Sequence, residues 1–155
     1  MISELKDELK QSKPFPSLHE EAQLNIQRTA GVLSDEFAQV LKPYGITGTQ
    51  YNVLRILRGA EPEGLCRNEV RERLINRMPD ATRLLDRMEG AGLVTRSREE
   101  EDRRMVRTRI TDHGRKIVDD LDAPVNAKHR GQLGHLSSDE LETLIKLLTK
   151  ARHSG

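Results

Sequence analysis

Apolar positions recur every three to four residues through most of this chain and change to alternation only in its middle. Behind Ser17, the residues Leu18, Ala22, Ile26, Leu33, Phe37, Val40 and Leu41 take the spacing of one long amphipathic helix, which Pro43 and Gly45 stop. Ser17 with Glu20 reads as a capping box, a pairing that satisfies the free amides of a helix start. A second box, Thr47 with Gln50, precedes a shorter helix carrying Tyr51, Val53, Leu54 and Leu57, which ends in the loop from Gly59 to Gly64. Cys66, Val70 and Leu74 share a face at steps of four and predict a third helix ending near Asn76. A fourth is expected to start around Pro79 and to bury Leu84, Leu85 and Met88 before Gly92 closes it.

From Leu93 the period becomes two. Leu93 to Arg98 and Met105 to Thr111 read as short strands, with Val106, Thr108 and Ile110 on one face and Met105, Arg107 and Arg109 on the other. The polar stretch Glu99 to Arg104 joins them as a hairpin. Thr111 then caps a fifth helix in which Ile117, Val118 and Leu121 can pack, and Pro124 is expected to break or kink it. Past a third box, Ser137 with Glu140, a terminal helix presents Leu141, Leu144, Ile145, Leu147 and Leu148 on a wide apolar face. No internal repeat or low-complexity tract interrupts this order.

A length of 155 residues, 35% hydrophobic, suits one domain with a single core. With 3% aromatic residues and no Trp, that core is aliphatic, and few rings remain for stacking on unpaired bases. Met1 to Lys13 contains no continuous apolar run, so neither a leader peptide nor a membrane span is expected and the protein should stay in the cytoplasm. Cys66 is the one cysteine and has no internal partner for a disulfide, which fits a reducing compartment. Its spacing with Val70 and Leu74 favours a buried structural thiol over a redox sensor.

The net charge of +1 conceals an uneven distribution. Residues 1–66 hold 7 basic and 9 acidic side chains, 67–109 hold 12 and 9, and 110–155 hold 7 and 7. All the basic residues of the middle segment are Arg, whose planar fork suits phosphate oxygens and guanine edges. Two short helices followed by an Arg-edged hairpin make a winged helix-turn-helix, in which the second helix enters the major groove and the hairpin reaches backbone or minor groove. Arg77, Asp80, Thr82, Arg83 and Arg87 lie on or just before that second helix, off the face used by Leu84, Leu85 and Met88. The hairpin adds Arg96, Arg98, Asp102, Arg103, Arg104 and Arg107 as candidate DNA-binding residues. Glu99, Glu100 and Glu101 beside the tip oppose phosphate unless they point away, and Asp80 suits a helix cap or a cytosine amine.

The strings Thr82-Arg83-Leu84-Leu85-Asp86-Arg87-Met88-Glu89, Gly92-Leu93-Val94, Asp102-Arg103-Arg104 and Ile110-Thr111-Asp112-His113-Gly114, in this order and spacing, resemble the MarR family of multiple antibiotic resistance regulators. The match runs from about Ser17 to Arg152. The resemblance implies a mainly α fold, with a winged helix-turn-helix and a two-stranded β-wing over 47–111, and dimerisation helices over 17–43 and 112–152 within one chain of 1–155. It implies that Arg104 is the wing-tip arginine of the minor groove and that Asp102 orients it; a carboxylate two residues earlier can hold the guanidinium extended. It also implies a homodimer joined through Leu18, Ala22, Leu141, Leu144, Ile145 and Leu148, acting as a repressor on inverted-repeat double-stranded DNA. Half-sites are then about one helical turn, roughly 34 Å, apart. Members of the family respond to small aromatic or phenolic anions, oxidants or metals near the junction of dimer helices and winged domain.

Other function classes find less support. An enzyme lacks its parts here: there is no Gly-rich phosphate loop, no His-Glu-x-x-His and no nucleophile motif around Cys66. His19, His113, His129, His135 and His153 are scattered, read as surface or capping residues, and define neither a metal site nor a cofactor site. The alternative is a winged-helix module that binds protein through its apolar outer helices.

Overall fold

The computed structural model describes residues 4–154 as seven α-helices and a small sheet. Short α1 (Leu5–Glu8) is followed by the long α2 (Leu18–Leu41), whose start is capped by the Ser17 hydroxyl accepting from the Glu20 amide. A single 3-10 turn, Lys42–Tyr44, ends at Gly45 with φ 70°, a left-handed conformation glycine adopts without penalty. The Thr47 box then opens α3 (Gly48–Gly59), with both reciprocal bonds made: the Gln50 amide donates to Thr47 Oγ1 at 3.1 Å and the Thr47 amide to Gln50 Oε1 at 3.0 Å. Next come β1 (Leu65–Cys66), α4 (Arg67–Arg73), α5 (Thr82–Gly90), β2 (Val94–Arg98), β3 (Val106–Ile110), α6 (Asp112–Leu133) and α7 (Ser138–Arg152).

The wing has three strands where alternation predicted two. Leu65 and Cys66 pair antiparallel with Thr108 and Arg107, so the order is β1-β3-β2. A two-residue strand carries no period and leaves no mark in the hydropathy pattern. For the same reason α4 is shorter than expected: Cys66 is extended and only half-buried, and Leu74, though buried in the core, is already out of the helix. Thus Cys66 is not the fully buried helical thiol that its spacing suggested.

Two helix boundaries also differ. The start of α5 lies three residues beyond Pro79, because the Asp80 carboxylate takes the Thr82 amide at 3.0 Å and sets the first turn there. Pro124 does not break α6, which runs through it from Asp112 to Leu133. Val118, Leu121 and Val125 are buried on both sides of the proline, and this packing holds the two halves in line despite one missing amide donor.

One core joins these elements. Leu41 of α2, Val53, Leu54 and Leu57 of α3, Val70 of α4, Leu85 and Met88 of α5, Val94 of β2, and Val118 and Leu121 of α6 form a continuous buried cluster. Thr111 ties wing to helix: its hydroxyl donates to the Gly92 carbonyl at 2.6 Å and accepts from the Gly114 amide at 3.0 Å. By contrast α7 buries no residue, and Leu18 on α2 is 81% exposed and Ile145 on α7 62% exposed. The described residues contain no helix long and apolar enough to cross a membrane.

Candidate nucleic-acid interface

The second helix of the motif, α5, is anchored by Ala81, Leu85 and Met88, which are buried, and this leaves Arg83 and Arg87 exposed on its other side. Its start is a compact polar knot. Thr82 Oγ1 donates to Asp80 Oδ1 at 2.7 Å and accepts from Arg67 Nη1 at 3.0 Å. The Thr82 hydroxyl and amide hold the Asp80 carboxyl below the usual carboxylate range, with nearby Arg67 adding to the effect. Asp80 is therefore a cap for the helix, and Arg67, which the sequence reading passed over, belongs to the same edge. Fifteen residues separate Arg67 from Thr82, so no local pattern pairs them.

In the wing, β2 and β3 run in register from Val94 opposite Ile110 to Arg98 opposite Val106. The connecting turn is built by Asp102, whose Oδ1 accepts from the Arg104 amide at 3.0 Å while its carbonyl accepts from the Met105 amide. The expectation that Asp102 holds the Arg104 guanidinium is thus corrected: the carboxylate grips backbone, since an Asx turn two residues long closes on the nearer donor. Arg98 Nη1 braces the same turn by donating to the Arg103 carbonyl at 2.7 Å.

The candidate arginines divide into two groups. Arg96, its side chain 25% exposed, meets Asp86 at 2.6 Å and Glu89 at 2.9 Å and so clamps β2 to α5. Glu89, hydrogen-bonded by Arg96, is pushed below the ordinary carboxylate range in consequence. Arg107 meets Glu99 at 2.8 Å and donates to the Gly64 carbonyl at 3.3 Å, binding the loop before β1 to the wing. Glu99 is thereby turned onto Arg107 and Arg109, while Glu100 and Glu101 remain exposed. Arg77, Arg83, Arg87, Arg103 and Arg104 are all exposed, and among the described residues their guanidinium groups have no hydrogen-bond or ion-pair partner. Between wing and helices, a recess of about 340 Å³ is lined by Arg67, Arg96, Arg104, Cys66 and Met105.

A larger cleft of about 820 Å³ lies between α2, α3, the start of the α4–α5 segment and α6. Phe37 stacks on His129 with centroids 5.4 Å apart and meets Tyr51 edge-on at 5.5 Å. Arg55 brings a cation to the wall, and Asn52, Ile75 and Asn76 close one side. Among the described residues the buried Tyr51 hydroxyl has no hydrogen-bond partner. Among the described residues no cluster of side chains is arranged to hold a metal ion.

The family described as transcriptional regulator SarA/Rot matches residues 36–121, more than half of the chain. A MarR transcription factor from Planctomyces limnophilus is 41% identical over 88% of this chain and 98% of its own, with a TM-score of 0.66. A mutant MarR from E. coli complexed with operator DNA is 27% identical over 96% and 99%, with a TM-score of 0.76. The transcriptional repressor CouR bound to a 23-mer DNA duplex is 25% identical over 92% and 99%, with a TM-score of 0.77. With its helix-turn-helix, its wing and these relatives, the chain belongs to the MarR family of transcriptional regulators.

Proposed function

We propose that the protein is a cytoplasmic repressor that binds double-stranded DNA sequence-specifically as a homodimer on an inverted repeat, and is released by a small aromatic or phenolic effector. The observation that carries the reading is the division among the arginines: Arg96 and Arg107 are engaged in internal ion pairs, whereas Arg77, Arg83, Arg87, Arg103 and Arg104, on the helix-turn-helix and wing, have no partner among the described residues. Five exposed guanidiniums without carboxylate partners are suited to phosphate oxygens and base edges, with Arg83 on α5 for the major groove and Arg104 at the tip for the minor groove. Asp80, Thr82, Asp102 and Arg98 shape these two elements. Among the relatives, the MarR mutant was solved with operator DNA and CouR on a 23-mer DNA duplex.

The dimer rests on unpartnered apolar surface. Leu18 and Ala22 on α2, and Leu144 and Ile145 on α7, are exposed, as are Ile26, Val32 and Leu147; Leu141 and Leu148 are half-buried beside them. Residues 47–111 then form the DNA-binding unit, and 17–43 with 112–152 the dimerisation helices. The aromatic slot of Phe37, Tyr51 and His129, with Arg55 for a carboxylate or phenolate, suits the effector.

Fluorescence anisotropy on random and selected duplexes at rising salt tests this directly. Affinity is expected to fall steeply with salt and to be tighter for an inverted repeat. Binding that ignores salt and sequence would instead indicate a protein-interaction module.

A further inference from the structure

The segment 75–79 leads from α4 into α5 and carries Arg77, yet it is thinly held. Among the described residues its one hydrogen bond to the rest of the molecule is donated by the Ile75 amide to Asn52 Oδ1, at 2.8 Å. Ile75 itself is 83% exposed, so this amide is ordered by a partner and not by burial. Leu74 before it and Ala81 after it are buried, which fixes the two ends and leaves the middle to Asn52. The same Asn52 side chain stands in the wall of the 820 Å³ cleft, next to Ile75 and Asn76 and facing the elements that bring Phe37 and His129.

We propose that Asn52 is a positioning residue for DNA recognition. Its carboxamide oxygen holds the segment that presents Arg77 and sets the entry into α5. This rests on the DNA-binding reading above and adds to it the residue that braces the approach to the reading helix.

The test uses the full-length protein, hydrogen exchange of the Ile75 amide, and the duplex selected by the wild type alongside a random-sequence duplex. In the wild type, Ile75 exchange is expected to be slowed at least about tenfold relative to an unstructured peptide. Asn52→Leu and Asn52→Ser should each abolish that protection and weaken the selected duplex about fivefold to tenfold, while binding to the random duplex and the thermal midpoint change little. Asn52→Asp, which keeps an acceptor oxygen in place, should restore both. Free exchange of Ile75 in the wild type overturns the proposal, as does unaltered preference for the selected duplex in both the Leu and Ser variants, or an Asp variant no better than Leu. A wild type that prefers no duplex over random sequence sinks the DNA reading instead, and the exchange measurement still decides whether Asn52 holds the loop.

Discussion

Arg58, near the end of α3, grips Asp122 on α6 with both ends of its guanidinium, at 2.8 Å and 2.9 Å, and reaches Asp119 one turn earlier at 2.7 Å. This fork joins α3, which precedes the helix-turn-helix, to α6, which follows the wing. The hydrogen bonds from Arg58 hold the Asp122 carboxyl below its usual range, so its stabilisation is present above the unfolded value and is lost as pH falls through the lower folded one. Arg58→Met should lower stability by about 1 kcal/mol at neutral pH, a modest figure because both aspartates are half exposed. Urea unfolding should show that deficit shrinking below about pH 4. A deficit constant across pH would assign the role to packing of the Arg58 stem.

Gly114, in the first turn of α6, has no room for a side chain. A Cβ there would press on the Leu93 carbonyl oxygen and stand 3.0 Å from Ile110 Cγ1 and 3.1 Å from Leu54 Cδ2. Gly114→Ala should therefore cost about 1–3 kcal/mol by forcing α6 off the sheet. Gly131, in the same helix, meets nothing within 4 Å, and Gly131→Ala should gain up to about 1 kcal/mol from helix propensity. Thermal melts of the two variants moving in the same direction would contradict this account.

Arg104 and Arg96 should fail in different ways. Arg104→Ala is expected to weaken all duplexes and to reduce the slope of affinity against salt by about one, whereas Arg83→Ala should relax base preference at a cost of about 1–3 kcal/mol. Arg96→Met should weaken binding by releasing Asp86 and Glu89 as bare negative charges on α5. Adding Asp86→Asn and Glu89→Gln to Arg96→Met should then recover most of the affinity. No recovery in that triple variant would mean that Arg96 itself touches DNA.

Ile145→Glu on α7 places a charge at a position that is 62% exposed in the single chain. Sedimentation should show a monomer at micromolar concentration, with circular dichroism unchanged because α7 buries nothing in its own protomer. Its affinity for an inverted repeat should drop to that of a half-site. An intact dimer would move the interface away from this helix.

Much of this molecule is decided by short-range patterning. Ser17, Thr47, Thr111 and Ser137 each cap the helix that follows, and the change of period at Leu93 marks where strands begin, because caps and hydrophobic stripes act over a few residues of backbone. The arginine-rich middle and its helix-then-hairpin order are equally local. Which arginines are free is not. Arg96 and Arg104 are the same residue type eight positions apart, and only the packing of α5 on β2 brings Asp86 and Glu89 to one and leaves the other bare. Arg67 meeting Thr82, Asn52 meeting Ile75 and Cys66 pairing with Arg107 likewise join residues 15 or more apart along the chain. Such pairings depend on how whole elements are placed against a common core, and neither propensity nor periodicity carries that information.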